Sequence, residues 1–273
     1  MFEGCCSHCT CTNRMDFGIS GKRALVTGTG KGIGYGVARS LAREGAKVAV
    51  VSRGVPRLNE LIEEMGGAEK GHYAISADLV ADGAPSKIIN QLDAEFGKID
   101  ILVNNLGSTL DITDPYCSID DWRAVYRMNM EVMIEFNNLV IPYMRARGWG
   151  RIINISSTAG MENNGPVPYC SVKAAVIAYS HSMGRVLAKE GVVMSCVLPG
   201  AIFTEDGFWD KALVDRPEHV EKYLQDRCPS GRFGEIDDIG TMVAFLSSSM
   251  AKFTQGAVIP VDGGQSRHYF VKP

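Results

Sequence analysis

Tyr169 and Lys173 stand four residues apart, and Ser157 lies twelve residues before the tyrosine. On a helix, positions i and i+4 project from one face, one above the other. A phenol with its unperturbed pKa of about 10 is a poor acid–base group near neutrality. An ammonium beside it favours the phenolate and draws that pKa toward working pH. A serine hydroxyl nearby would hold a carbonyl or alcohol oxygen. Together the three groups make a site that moves a proton on and off a substrate oxygen. The spacing alone also describes an ordinary pair on a helix surface, so the elements that position these residues must decide.

From Lys22 onward, short apolar runs alternate with amphipathic stretches. The pattern predicts strands over 23–27, 47–52, 72–76, 99–104, 151–156, 192–198 and 257–261. Helices are expected over 33–44, from beyond Ser52 to about Met65, and over 85–96, 120–147, 167–190 and 236–248. The 120–147 helix should break or bend near Pro142. This alternation, with no repeat of its own, points to an α/β fold: a Rossmann-type, doubly wound parallel sheet with right-handed crossovers. No linker rich in Pro, Ser or charge divides the chain, so residues 18–273 read as a single domain with an insertion at about 202–229. Residues 1–17 read as an N-terminal extension.

The first strand runs into Thr27-Gly-Thr-Gly-Lys-Gly-Ile-Gly34. Gly28, Gly32 and Gly34, with Ile33 between the last two, place G-x-x-x-G-x-G at a strand-to-helix turn. Without Cβ atoms the backbone can approach a pyrophosphate, and the helix N-terminus supplies amide donors and a favourable dipole. The second strand ends without the carboxylate that accepts from an NAD ribose. Arg53 follows Ser52 there, and Lys31 sits in the glycine turn. Two cations and a hydroxyl suit a 2′-phosphate, so NADP(H) is expected in preference to NAD(H).

Of 273 residues 45% are hydrophobic, ample for a large core, and the formal net charge is −3. No Lys/Arg block argues for nucleic acid or an anionic membrane. No apolar run reaches the roughly 18 residues of a bilayer span, and Met1–Arg14 lacks the form of a secretory signal. A cytoplasmic protein is expected. Cys5, Cys6, Cys9 and Cys11 crowd the start of the chain with His8 among them. Such ligands suit a soft metal. With no second ligand pair on a separate element, the segment reads instead as a dispensable, disordered leader, and no metal is expected. Cys117, Cys170, Cys196 and Cys228 are scattered singly and read as reduced thiols.

With these motifs assembled, residues from about Gly18 to Gly264 resemble the short-chain dehydrogenase/reductase family, its 3-oxoacyl-reductase-like branch in particular. The resemblance is carried by the glycine turn, Asp78-Leu79, Asn104-Asn-Leu-Gly107, Asn129, Ser157, Tyr169, Lys173, Pro199-Gly200 with Thr204, and Val261-Asp-Gly-Gly264. It implies that Asp78 accepts from the adenine amino group and that Asn104 and Gly107 line the cofactor ribose. The segment Pro199–Thr204, Ile202 included, would clasp the nicotinamide amide. Lys173 would hold the nicotinamide ribose as well as tune Tyr169, and Asn129 would anchor a water relaying protons to Lys173. Leu106 departs from the family's usual alanine, which would tighten or shift the ribose pocket. Ser156 and Ser157 are adjacent; alignment on Ala159-Gly160 selects Ser157, with Ser156 facing the other way.

The chemistry implied is hydride transfer between the nicotinamide and a carbonyl carbon, with Ser157 and Tyr169 on the oxygen. The substrate is expected to be a small ketone or secondary alcohol. The Met161–Pro168 loop and the insertion should set specificity, and Phe203, Phe208, Trp209 and Tyr223 would either form an apolar lid or pack the insertion onto the body. An acyl-carrier thioester is one alternative, although Ile202–Pro229 holds more Asp/Glu than Lys/Arg. An NAD-linked alcohol dehydrogenase and a catalytically silent cofactor sensor are the others. A homodimer or homotetramer is expected by resemblance, and Met130, Val132, Met133, Ile134 and Phe136 give the fourth helix apolar residues beyond one buried face. The tail Gln265–Pro273 would reach a neighbouring subunit or the substrate mouth.

Overall fold

Unbroken Val, Ile, Leu and Ala in the strand runs mark strands covered on both faces. The computed structural model, which describes residues 16–267, uses them in this way. The first half comprises β1 (Arg23–Thr27), α1 (Ile33–Arg43), β2 (Lys47–Ser52), α2 (Val55–Glu64), β3 (Tyr73–Ser76), α3 (Ala84–Glu95) and β4 (Ile101–Asn104). After α4 (Ile119–Tyr126) and α5 (Val132–Ala146) come β5 (Gly150–Ile155), the short α6 (Ala159–Glu162), α7 (Val167–Leu187) and β6 (Val192–Pro199). The chain then forms α8 (Phe208–Asp215), α9 (Pro217–Arg227), α10 (Ile236–Ser247) and β7 (Val258–Val261).

The seven strands form one parallel sheet in the order β3-β2-β1-β4-β5-β6-β7. Alternate residues feed two cores. Ala24 and Val26 of β1 join the cluster under α1 and α10, while Leu25 joins the one under α3 and α5. In β2, Val48 and Val50 divide from Ala49 and Val51 in the same way. Each fully buried Val or Leu among them is worth about 1.5–3 kcal/mol. Strand order reverses between β1 and β4, and clefts of such sheets open at that point, beyond the carboxyl ends of the strands.

The expected single helix over 120–147 is divided, though not at Pro142. Pro142 lies inside α5 on its exposed side, where water can satisfy the carbonyl left without a donor. The break is a π-helical turn, Arg127–Glu131, centred on Asn129. The Asn129 amide donates to the Val125 carbonyl at 2.9 Å and so competes with the backbone ladder. Of the apolar residues of this helix, Met130, Val132, Met133 and Phe136 are buried within the subunit and Ile134 is half-buried.

The insertion holds α8 and α9. Trp209 is its centre, with ring centroids 4.9 Å from Phe208, 4.3 Å from Tyr223 and 4.7 Å from Phe233. The aromatics thus pack the insertion together, although Phe208 remains largely exposed. The cysteine-rich start and the last six residues lie outside the described residues. No helix among the described residues is long and apolar enough to cross a membrane.

Candidate active site

A cleft of about 690 Å³ opens along the carboxyl ends of β1, β2, β4 and β5. At one end it is lined by Lys31, Ser52, Arg53 and Arg57, and at the other by Tyr169 and Lys173. Gly28, Ile33, Asp78, Leu79, Gly107 and Thr204 line the stretch between. The β1–α1 turn is close-packed. A Cβ on Gly34 would lie 2.4 Å from Asn105 Nδ2 and 2.5 Å from the Gly28 carbonyl oxygen, so no side chain fits. Gly32 borders the cleft from behind, against Thr204 Cγ2.

At the cationic end, the Ser52 hydroxyl is buried and has no hydrogen-bond partner. Lys31 Nζ donates to the Asp206 carbonyl at 3.2 Å. Arg57 pairs with Glu60 at 2.9 Å and approaches Glu205 at 3.7 Å. Three cations around an unsatisfied hydroxyl suit an anionic group. Arg57, in the first turn of α2, is a third cation that the sequence marks only by its place four residues after Arg53. The opposite wall is the Asp78–Ala81 turn, which Arg127 holds through the Val80 carbonyl at 3.1 Å.

Asn104 does not line the cleft. Its side chain is buried and donates to Asn137 at 2.9 Å and Asn154 at 2.8 Å, tying β4 to α5 and β5. The wall is instead Asn105 through Ser108. Asn105 donates to the carbonyls of Thr27 and Gly28, both at 3.0 Å, and fixes the glycine turn. Leu106 packs partly into the core under α3 and α5 while also lining the cleft. Pro199, Gly200 and Ile202 lie at the end of β6 and just beyond it, outside the cleft lining, with Thr204 alone reaching it. Gly200 packs against Asp262, and Ile202 bridges to Gly234.

At the far end, α7 presents Tyr169 and Lys173 to the same cleft, with the ammonium 5.5 Å from the phenol ring centroid. Lys173 is buried and donates to the Ile155 carbonyl at 3.1 Å. Ser156 donates to the Lys173 carbonyl at 2.8 Å, a bond that docks α7 on β5. Ser157, half-buried, stands beside Tyr169 but outside the cleft lining, which takes Ser156 instead, and its hydroxyl accepts from the Ala159 amide at 3.1 Å. Asn129 donates to the Ser108 carbonyl at 2.8 Å and accepts from the Ser108 amide at 3.2 Å. Asn129 Oδ1 and Lys173 Nζ converge on Gly107, at 2.7 and 2.9 Å from where its Cβ would be.

The electrostatics differ from the expected acidified phenol. Burial pushes Tyr169 up to about 12, and the Ser157 hydroxyl beside it works in the opposite direction. Burial also lowers Lys173 to about 8. The dry end of the cleft disfavours phenolate and ammonium alike, and the ammonium is aimed at the Ile155 carbonyl. At neutral pH the phenol keeps its proton and can give it to an oxygen.

A parallel sheet whose strand order reverses between β1 and β4, with a glycine turn, Tyr169 and Lys173 at one end of its cleft and Ser157 beside the phenol, defines a nicotinamide-nucleotide oxidoreductase. The family profile described as "short chain dehydrogenase" matches residues 22–207, and the chain belongs to that family. A 3-oxoacyl-[acyl-carrier-protein] reductase of Aquifex aeolicus is 33% identical over 253 residues, 92% of this chain and 99% of that protein. A (2S)-[(R)-hydroxy(phenyl)methyl]succinyl-CoA dehydrogenase subunit of Thauera aromatica is 32% identical over 91% of this chain and 98% of its own length. Among solved structures, L-sorbose reductase from Gluconobacter frateurii, complexed with NADPH and L-sorbose, superposes with a TM-score of 0.85. It is 28% identical and the match covers 94% of this chain and all of that one.

Proposed function

We propose that the protein interconverts a ketone and a secondary alcohol with NADP(H), and that Tyr169 is its general acid and base. The observation that carries the reading is the convergence of Tyr169, Lys173 and Asn129 at one end of a cleft whose other end gathers Lys31, Arg53 and Arg57 round the unsatisfied Ser52 hydroxyl. A 2′-phosphate would give that hydroxyl a partner and an anion to the cations; a bare ribose hydroxyl could partner it but would bring the cations no charge. Gly28, Ile33 and the amides of the turn would hold the pyrophosphate, and Asp78 with Leu79 the adenine. When bound, the nicotinamide supplies the hydride.

The chain's own residues do the rest. Ser157 orients the carbonyl oxygen, and Tyr169 donates its proton as charge develops there. The charge on Lys173 favours the tyrosinate left behind. Asn129 Oδ1 lies close enough to Lys173 to hold a water that returns the proton. In the oxidative direction the same groups act in reverse. The small-ketone reading is preferred to a carrier-bound thioester because the lid is acidic, although relatives named as 3-oxoacyl reductases keep the thioester in view.

NADPH oxidation against acetoacetyl-CoA, L-sorbose, ethyl acetoacetate and cyclohexanone tests the reading. Turnover is expected with at least one ketone, with kcat/KM at least tenfold higher for NADPH than NADH. Tyr169→Phe should cost about a thousandfold in kcat while NADPH still binds. Turnover with none of them, or an undiminished Tyr169→Phe enzyme, would refute it.

A further inference from the structure

The α8–α9 insertion packs on its own aromatic cluster, and the C-terminal segment meets it at two points, Gln265 on Tyr223 and the Arg267 guanidinium on the Asp226 carbonyl at 3.2 Å. We infer that Gln265 is the positioning residue for the lid and so sets KM for the ketone, an inference that rests on the reaction proposed above. Its side chain is buried, and both ends of the amide are used. Oε1 accepts from the Ala201 amide at 2.9 Å, in the segment leaving β6. Nε2 donates to the Tyr223 hydroxyl on α9 at 2.6 Å. Tyr223 in turn stacks on Trp209 of α8, at 4.3 Å between centroids. One amide therefore joins the strand end that leads into the cleft to the aromatic centre of the lid.

Gln265 is itself fixed. Its amide donates to the Asp262 carbonyl at 3.1 Å, and the Ser266 amide donates to the Asp262 carboxylate at 2.8 Å. Two residues later the Arg267 amide donates to Glu162 at 2.8 Å, at the end of α6 between Ser157 and Tyr169. The tail thus touches all three segments that surround the reacting end: the turn after β5, the turn after β6 and the lid. Only a side chain with a donor and an acceptor on one planar head can satisfy the Ala201 amide and supply a proton to Tyr223. Losing it leaves buried polar groups unpaired and the lid free to ride away from the mouth.

The test is Gln265→Met, which keeps the volume and removes both hydrogen bonds. KM for the best ketone of the panel should rise about tenfold, with kcat and the NADPH dissociation constant, read by fluorescence titration, within about twofold of the parent. Tyr223→Phe should raise KM in the same direction, and the double variant should be no worse than Gln265→Met, because one connection is cut twice. Trypsin should cut the NADPH complex of Gln265→Met faster at the lid's Lys211, Arg216, Lys222 and Arg227. An unchanged KM, additive effects, or a KM rise matched by weaker NADPH binding overturns the inference. If the parent protein reduces no ketone, the reaction itself is refuted. The cleavage rates still decide the tether, and equal rates in parent and variant sink it.

Discussion

Lys173 concentrates the physical chemistry of the site. Its folded pKa lies near 8 because burial disfavours the ammonium. The cation is the low-pH form, so the charge that favours the tyrosinate is present below about pH 8 and lost above it. For reduction, kcat/KM should therefore be level at neutral pH and fall as pH rises through about 8. Lys173→Arg, whose guanidinium stays charged, should lose about a hundredfold in plateau rate through misplacement, yet carry the falling limb above pH 9. A limb left in place in that variant would assign the titration to another group. The linkage to stability runs the opposite way. With its pKa depressed on folding, Lys173 contributes stability that is present above its unfolded value and lost as pH falls through about 8. At this scale the residue types were legible but some of their directions were not. The alternation of a strand separates Ser156 from Ser157 on paper. Nothing in Asn104-Asn105 says which amide joins the Asn137–Asn154 network and which clamps the glycine turn, because that depends on helices far off in sequence.

The π turn is the element on which the reacting end depends. By opening one turn between α4 and α5, it lets the Asn129 side chain reach both Val125 and Ser108 and stand beside Lys173. Sequence reading places the break at Pro142 because a missing N–H is visible in the residue type. A side chain that outcompetes the ladder from within is visible only once its acceptors are placed. Strands, by contrast, were legible almost to the residue, since an apolar run buried on two faces has few other fates. The close approach of Asn129 and Lys173 demands a bare backbone at Gly107. A methyl group there would meet oxygen and nitrogen at 2.7 and 2.9 Å. Gly107→Ala should lower kcat by at least tenfold and stability by about 1–3 kcal/mol, measured by steady-state rates and denaturant unfolding. Undiminished turnover would mean that the two groups do not act together.

Across the molecule, the doubly wound sheet that the alternation of elements predicts reverses between β1 and β4 and gathers the cationic end and the Tyr169–Lys173 end into one cleft. The body takes hold of its N-terminal arm at Phe17. The Phe17 carbonyl accepts from the Ser249 amide at 3.2 Å, and its ring meets Phe245 edge-on at 6.3 Å. A chain begun at Met15 should keep the thermal midpoint and turnover of the full chain, whereas Phe17→Ala should cost about 2 kcal/mol of unfolding free energy. A thermal midpoint lowered by the shorter start would give the cysteine-rich arm a structural part.

Because the chemistry is confined to one rim of the sheet, the other rim is available as a handle. Lys189, between α7 and β6, is exposed on that rim. A short peptide tag grafted there would anchor the catalyst to a bead or electrode with its mouth facing the medium. Immobilised and free enzyme should then show the same KM.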